Sequence, residues 1–251
     1  VIDSITRAIQ AGKEEMESSG RRVLGAGIGI SGLVDPFRGR ILYSEDLGIK
    51  IDPLELQSPL EQELGLPVAV DNDARCCCYD VMTYGPFRHR RNFIYLFCET
   101  EEDPDDPSLF ARFALGSALV LEGKLHHGSH STAGEFRSLY APGDVQCQFA
   151  PLGKGGIRGL RSNLEGRNRL LAELSQHLGF LANYLDLEAI FLGGGIEEYR
   201  QEIEPLLEKA LHTTWLYADR YPKPVDIHFA ATGEKPALRG AAALIARRVF
   251  L

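Results

Sequence analysis

The chain has 251 residues, 44% apolar and 25% charged, with 27 Lys and Arg against 35 Asp and Glu for a formal net charge of −8. That is an ordinary globular composition, long enough for one large domain or two lobes with cores of their own. An acidic surface repels phosphate backbones, so these residues alone are not expected to bind nucleic acid.

The first residue is Val1 rather than Met, in what reads as mid-helix, and the natural protein is expected to begin earlier. Ile2, Ile5 and Ile9 recur at helical spacing, so the first twenty residues predict an amphipathic helix. Residues 23–30 read as an apolar strand ending in the turn Ser31-Gly32, and 40–44 as a short second strand. Residues 53–65 read as a helix, with Asp52 as N-cap, Pro53 in the first turn and Gly65 as the stop. A strand at 68–70 leads into Asp71-Asn72-Asp73 and a helix through Tyr84. Residues 93–98 form a buried-type strand, and 99–106, acidic and holding Pro104, read as a solvated loop. Strand 114–121 and a turn at Gly123 precede a loop rich in Gly, Ser and His, and 140–159 show no period. The rest reads as helix 164–185, strand 189–192 ending in Gly193-Gly194-Gly195, helix 202–216, strand 225–229 and an Ala-rich helix at 238–249. Strands alternating with helices predict an α/β architecture, with a hinge near residues 89–92.

No apolar run reaches the length of a membrane span. Five cysteines occur, at 76, 77, 78, 98 and 147. Three are consecutive, a poor geometry for mutual pairing, the count is odd and there is no CxxC. They read as reduced thiols of a cytoplasmic protein. His126, His127 and His130 have no nearby Cys and read as exposed polar residues rather than a metal cluster.

Four motifs stand in a fixed order: Gly27-Ile28-Gly29-Ile30-Ser31-Gly32-Leu33-Val34-Asp35; Val70-Asp71-Asn72-Asp73-Ala74; Leu121-Glu122-Gly123-Lys124-Leu125 with Gly128 and then Ala133-Gly134-Glu135; and Leu185-Asp186 through Ile190-Phe191-Leu192-Gly193-Gly194-Gly195. Each is weak alone, but the ordered set resembles the ROK family of repressors and sugar kinases. The resemblance implies a two-lobed actin/hexokinase-like (ribonuclease H-like) α/β fold with a sugar in the interlobe cleft. It places the small lobe at 1–90 plus 239–251, the last helix crossing back, and the large lobe at 91–238.

A sugar offers hydroxyls that donate and accept hydrogen bonds, and Asn, Asp and Glu answer both capacities. The resemblance implies sugar-side roles for Gly32, Asn72, Asp73 and Glu135, with Asp73 matching the family's catalytic base toward the attacking hydroxyl. Read without it, Asp71-Asn72-Asp73 before a helix is also what an N-cap looks like. Gly32 can equally serve its turn, and Glu135 can be a solvated loop residue.

The phosphate side departs from the family pattern. There is no D-x-G-x-T turn, and the family's G-T-G-I-G aligns with Arg112-Phe113-Ala114-Leu115-Gly116, keeping only Gly116. Gly193, Gly194 and Gly195 match the nucleotide-side turn, though a Gly-rich strand end is common for structural reasons. The family's structural zinc is not expected, because its His falls at Ser138 and its C-x-C at Cys147-Gln148-Phe149. Three readings follow. The preferred one is the sugar-binding effector core of a transcriptional regulator, a homodimer that reaches DNA only through a module outside this chain. The second is an ATP-dependent hexose or amino-sugar kinase using Mg-ATP, with Asp73 as base. The third is a degenerate scaffold that binds neither ligand.

Overall fold

Val68, Ala69 and Val70 are buried on both faces of their strand, as a parallel strand sandwiched by helices requires, and much of the chain is arranged about them. The computed structural model describes residues 1–143, 148–152, 156–230 and 235–250. In chain order it contains α1 (Ile2–Ser18), β1 (Ala26–Ile30), β2 (Leu33–Asp35), β3 (Arg40–Tyr43), β4 (Leu54–Glu55), α2 (Gln57–Leu64), β5 (Val68–Asn72), α3 (Asp73–Thr83), β6 (Phe93–Glu102), β7 (Phe110–Leu121) and β8 (Lys124–His126). Then come α4 (Leu164–Tyr184), β9 (Ala189–Gly194), a 3-10 turn (Gly195–Tyr199), α5 (Arg200–Thr213), β10 (Asp226–Phe229) and α6 (Pro236–Phe250). These elements divide between two compact units. Unit 1 comprises Val1–His89, Leu125–Ala133 and Lys235–Leu251; unit 2 comprises Arg90–Lys124 and Gly134–Glu234.

In unit 1, β1 and β5 pair in parallel from Ala26↔Val68 to Ile30↔Asn72, and β2, β3 and β4 form a separate antiparallel sheet. The core gathers Ile30, Val34, Ile41, Leu56, Leu60, Val68 and Val70, and Ile2, Ile5 and Ile9 of α1 pack against it. Helix α6 packs on α3 and β1, so closely that a Cβ on Gly27 would overlap the Ala241 carbonyl and one on Gly240 the Cys76 carbonyl. The helix expected over 53–65 is shorter. Leu54 and Glu55 pair with β3 instead, and the helix starts at Gln57 with no side-chain cap. The cause is tertiary: the amides of Leu56 and Gln57 both donate to Gly39 O, at 3.1 and 2.9 Å, which sets the entry to the helix and leaves Asp52 outside it. Gly65 does end it, in the left-handed conformation at φ 62°.

In unit 2, β10, β9 and β6 run parallel and β7 pairs antiparallel with β6. Buried Leu96, Phe110, Leu160, Leu170, Leu174, Ile190 and Leu207 form its core. Asn163 starts α4 by accepting the Gly166 amide at 2.9 Å, and Gly179 of α4 lets Ala210 of α5 approach to within 2.9 Å of the Cβ it lacks. The acidic stretch at 99–106 is not a loop throughout: β6 continues to Glu102 and the hairpin turns only at 103–109. Distant arginines hold it. Arg112 pairs with Glu99 at 2.9 Å, Arg158 with Asp103 at 2.5 Å and Arg161 with Glu102 at 2.6 Å.

Candidate functional site

The end of β5 in unit 1 delivers Asn72 and Asp73 at the start of α3. Asn72 is the N-cap: its Oδ1 accepts the Arg75 amide at 3.1 Å, and its Nδ2 donates to Gly32 O at 3.0 Å. The capping expectation for this stretch is met. A side-chain amide has two N–H groups and two oxygen lone pairs, and these bonds engage one of each. Asp73 is half-buried at the first helical position, where the open N–H groups of the first turn favour negative charge. Its Oδ1 accepts the Ala74 amide at 2.7 Å. Gly32 sits at φ 137°, and a Cβ there would strike the Tyr43 carbonyl, so the chain itself requires that glycine.

Beneath these residues lies a polar cluster that the sequence did not single out. Arg75 and Asp71 are 3% and 0% exposed and form an ion pair at 2.6 Å. Arg75 also donates to Val34 O at 2.7 Å and to Ser131 O at 3.0 Å, tying β2 and the 125–133 segment to α3. His127, expected to be exposed, is instead docked: Nε2 stands 3.2 Å from Asp71 Oδ2 and the ring lies edge-on to Phe37 at 5.0 Å. His126 and His130 are exposed. The one available signal was a carboxylate and a guanidinium four residues apart where β5 runs into α3.

Unit 2 carries the residues matched to the phosphate side. Gly116, Phe97 and Gly193 form one row across β7, β6 and β9. Residues 112–116 form no turn; they lie inside β7, paired one by one with β6 from Glu101↔Arg112 to Phe97↔Gly116. Their amides are laid out in a sheet rather than converging on an anion, and Arg112 answers Glu99. At the end of β9, a Cβ on Gly193 would overlap the Tyr95 hydroxyl, one on Gly194 the Cys98 carbonyl and one on Gly195 the Thr100 side chain. These glycines accommodate the protein's own strands. The residues present do not fit the triphosphate cradle that kinases of this fold use. Glu135 is exposed, next to Gly134, whose carbonyl accepts the Ser117 hydroxyl at 2.6 Å.

The zinc position is likewise filled. Ser138 is buried, its Oγ 3.0 Å from His177 Nε2 of α4 and accepting the Tyr140 amide at 3.1 Å. Burial lowers the His177 pKa, and the nearby Glu173 opposes the shift. A serine bonded to histidine does not fit the Cys/His donor set of structural zinc. Cys147 lies outside the described residues, and among those described no group of three or more His, Cys, Asp or Glu is arranged to hold a metal ion. Cys76, Cys77, Cys78 and Cys98 are buried free thiols with pKa values pushed up by desolvation, which makes them unreactive. Among the described residues no helix is long and apolar enough to cross a membrane.

Comparison with known proteins bears on these assignments. A family model described as ROK family matches residues 1–148. The glucokinase of Streptomyces coelicolor is 22% identical over 97% of this chain and 85% of its own length. A ROK family transcriptional regulator, a homologue of the E. coli MLC protein, superposes with a TM-score of 0.76 at 18% identity, covering 99% of this chain and 68% of the other. A ROK family glucokinase from Streptomyces griseus, solved with glucose and AMPPNP, gives a TM-score of 0.69 at 22% identity over 96% and 87%. These likenesses establish the fold class, the two-lobed actin/hexokinase-like α/β fold.

Proposed function

This chain belongs to the ROK family, and on that footing we propose that it is the sugar-binding effector core of a transcriptional regulator without efficient kinase activity. The observation that carries this reading is the placement of residues 112–116 within the β6–β7 ladder. Phosphoryl transfer depends almost wholly on positioned donors around the phosphates, and these residues run along an extended strand rather than turning about an anion. The sugar side keeps its chemistry: Asn72 and Asp73 at the start of α3 supply donors and a charged acceptor, with Gly32 and Glu135 as further contacts. Sugar binding then biases the conformations available to the protein, and DNA is reached through a module outside these residues. The buried free thiols support residence in the cytoplasm.

The test is calorimetric titration with glucose, xylose and N-acetylated hexosamines, paired with an assay for ADP release from Mg-ATP and each sugar. At least one sugar is expected to give binding heat, with no ADP release above the protein-free rate. Hydrogen bonds to a charged group contribute about 1.5–3 kcal/mol, so Asp73→Asn is expected to weaken sugar binding roughly ten- to a hundredfold. Sugar-dependent ADP release that disappears in Asp73→Asn overturns the reading in favour of an ATP-dependent sugar kinase. The retention of Asp73 at the helix start favours that second reading. A flat response across the panel, without turnover, overturns both in favour of a scaffold.

A further inference from the structure

Three polar side chains line one face of α4. Glu173, Gln176 and His177 follow the i, i+3, i+4 spacing that sets helix residues side by side, and each takes its partner from the stretch after Gly134. The buried Glu173 accepts the Ala150 amide through Oε1 at 3.2 Å. Gln176 Oε1 accepts the Tyr140 hydroxyl at 2.9 Å. His177 Nε2 stands 3.0 Å from the buried Ser138 Oγ. Polar groups set into a helix face cost stability unless they are bonded, and here all three are bonded to the same stretch of chain.

That stretch is wound tightly about Ser138. The Ser138 amide donates to Gln148 O at 2.9 Å, its carbonyl accepts the Ala141 amide at 3.1 Å and its hydroxyl accepts the Tyr140 amide at 3.1 Å. Gln148 Nε2 donates onward to Leu115 O at 3.0 Å and Phe136 O at 3.3 Å. The Phe136 and Tyr140 rings lie 6.2 and 5.8 Å from the His177 ring, so the imidazole is where one hydrogen bond and two aromatic rings meet on α4. Glu135 stands one residue before Phe136 and three before Ser138. On its other side, the Gly134 carbonyl accepts the Ser117 hydroxyl at 2.6 Å, and a Cβ on Gly134 would strike the Ser117 carbonyl. The backbone that carries Glu135 is therefore held at both ends.

We propose that the Ser138–His177 bond pins residues 134–140 to α4 without a metal, and that His177 is thereby a positioning residue for Glu135. The family pattern puts a zinc-binding His at position 138. Here the side chain is a hydroxyl already engaged by His177 and the Tyr140 amide, a pairing that does the anchoring through hydrogen bonds and does not offer the thiolate and imidazole donors zinc takes. A carboxylate held in place before its ligand arrives loses less freedom on binding, and small displacements of a positioned group are costly. The role of Glu135 rests on the reading of it as a sugar contact; the pin itself does not.

Hydrogen exchange and calorimetry on the full chain, each with and without a zinc chelator, test it. Exchange at the amides of residues 136–141 is expected to be indifferent to the chelator in the wild type. His177→Ala is expected to speed it about tenfold, whereas His177→Gln, whose side-chain amide can still bond Ser138, keeps most of the protection. Among glucose, xylose and N-acetylated hexosamines, the tightest-binding sugar is expected to bind roughly three- to tenfold more weakly to His177→Ala. In a Glu135→Gln background the same substitution is expected to weaken it no further, because the two residues act as one unit; a general loosening of unit 2 would weaken both backgrounds alike. Should His177→Ala fail to fold, Ser138→Ala carries the same expectations. Exchange sped by the chelator, unchanged exchange in His177→Ala, or additive losses in the cycle overturn the proposal. A wild type that binds no sugar overturns the effector reading and the role of Glu135 with it, and the exchange result then decides the pin by itself.

Discussion

The ends of β5 in unit 1 and β9 in unit 2 are built from similar materials, a parallel strand running into glycine or polar residues and then a helical turn. They have been put to different uses. After β5, Asn72 caps its helix with part of its hydrogen-bonding capacity, and Asp73 stays half-accessible at the helix start. After β9, the glycines are pressed against Tyr95, Cys98 and Thr100, and the facing stretch of β7 is absorbed into the ladder. The difference teaches that retained glycines do not identify a phosphate site. What matters is whether the space above them is open to a ligand or taken by the chain.

That contrast can be broken at several points. The largest effect is expected from Arg75→Ala, which takes from buried Asp71 its cationic partner, leaving it the Asn72 amide and His127, and removes the ties to Val34 and Ser131. Denaturant unfolding should show a loss of about 3–5 kcal/mol, and a loss under about 1 kcal/mol would mean the cluster does not support the β5 site. Asp73→Asn comes next, with its weakening of sugar affinity read by calorimetry and little change in melting temperature. Gly194→Ala, at φ 78° against the Cys98 carbonyl, is expected to cost about 1–3 kcal/mol through overpacking. A variant that keeps its stability while losing nucleotide affinity would show that the glycines serve a ligand after all. The smallest effect concerns pH. Burial lowers the pKa of His177 and of His228 from 6.5, so both stay neutral in the fold while the unfolded chain takes up protons. Their contribution to stability is complete above about 6.5 and declines as pH falls through that value, levelling off below the folded pKa values. His177→Gln should flatten part of this decline in thermal melts between neutral and mildly acidic pH.

Much of this was legible in the sequence where local pattern and tertiary packing agree. The helix expected at 164–185 is α4 almost to the residue, because its cap, its apolar repeat and its packing coincide. The motif order led to the family. Legibility failed where distant partners decide. Glu99 to Glu102 read as a solvated acidic run because Arg112, Arg158 and Arg161 lie far along the chain. Residues 53–56 read as helix because the pull of Gly39 is not local. The Asp71–Arg75–His127 cluster was hidden for the same reason: nothing near His127 in sequence announces a carboxylate 56 positions away.

Helix α6 has a consequence for how the molecule is made. Unit 1 draws on three separated stretches of chain, and the last of them lies against α3 and β1 through glycines that admit no side chain. During synthesis, α1 to α3 leave the ribosome long before the helix that covers them, so β1 and β5 must wait with one face open while unit 2, made in between, can already close. Such sequence-distant contacts slow folding and lengthen exposure to aggregation. A premature stop a few residues before Pro236 would therefore unseat unit 1, made before unit 2, and spare unit 2 itself.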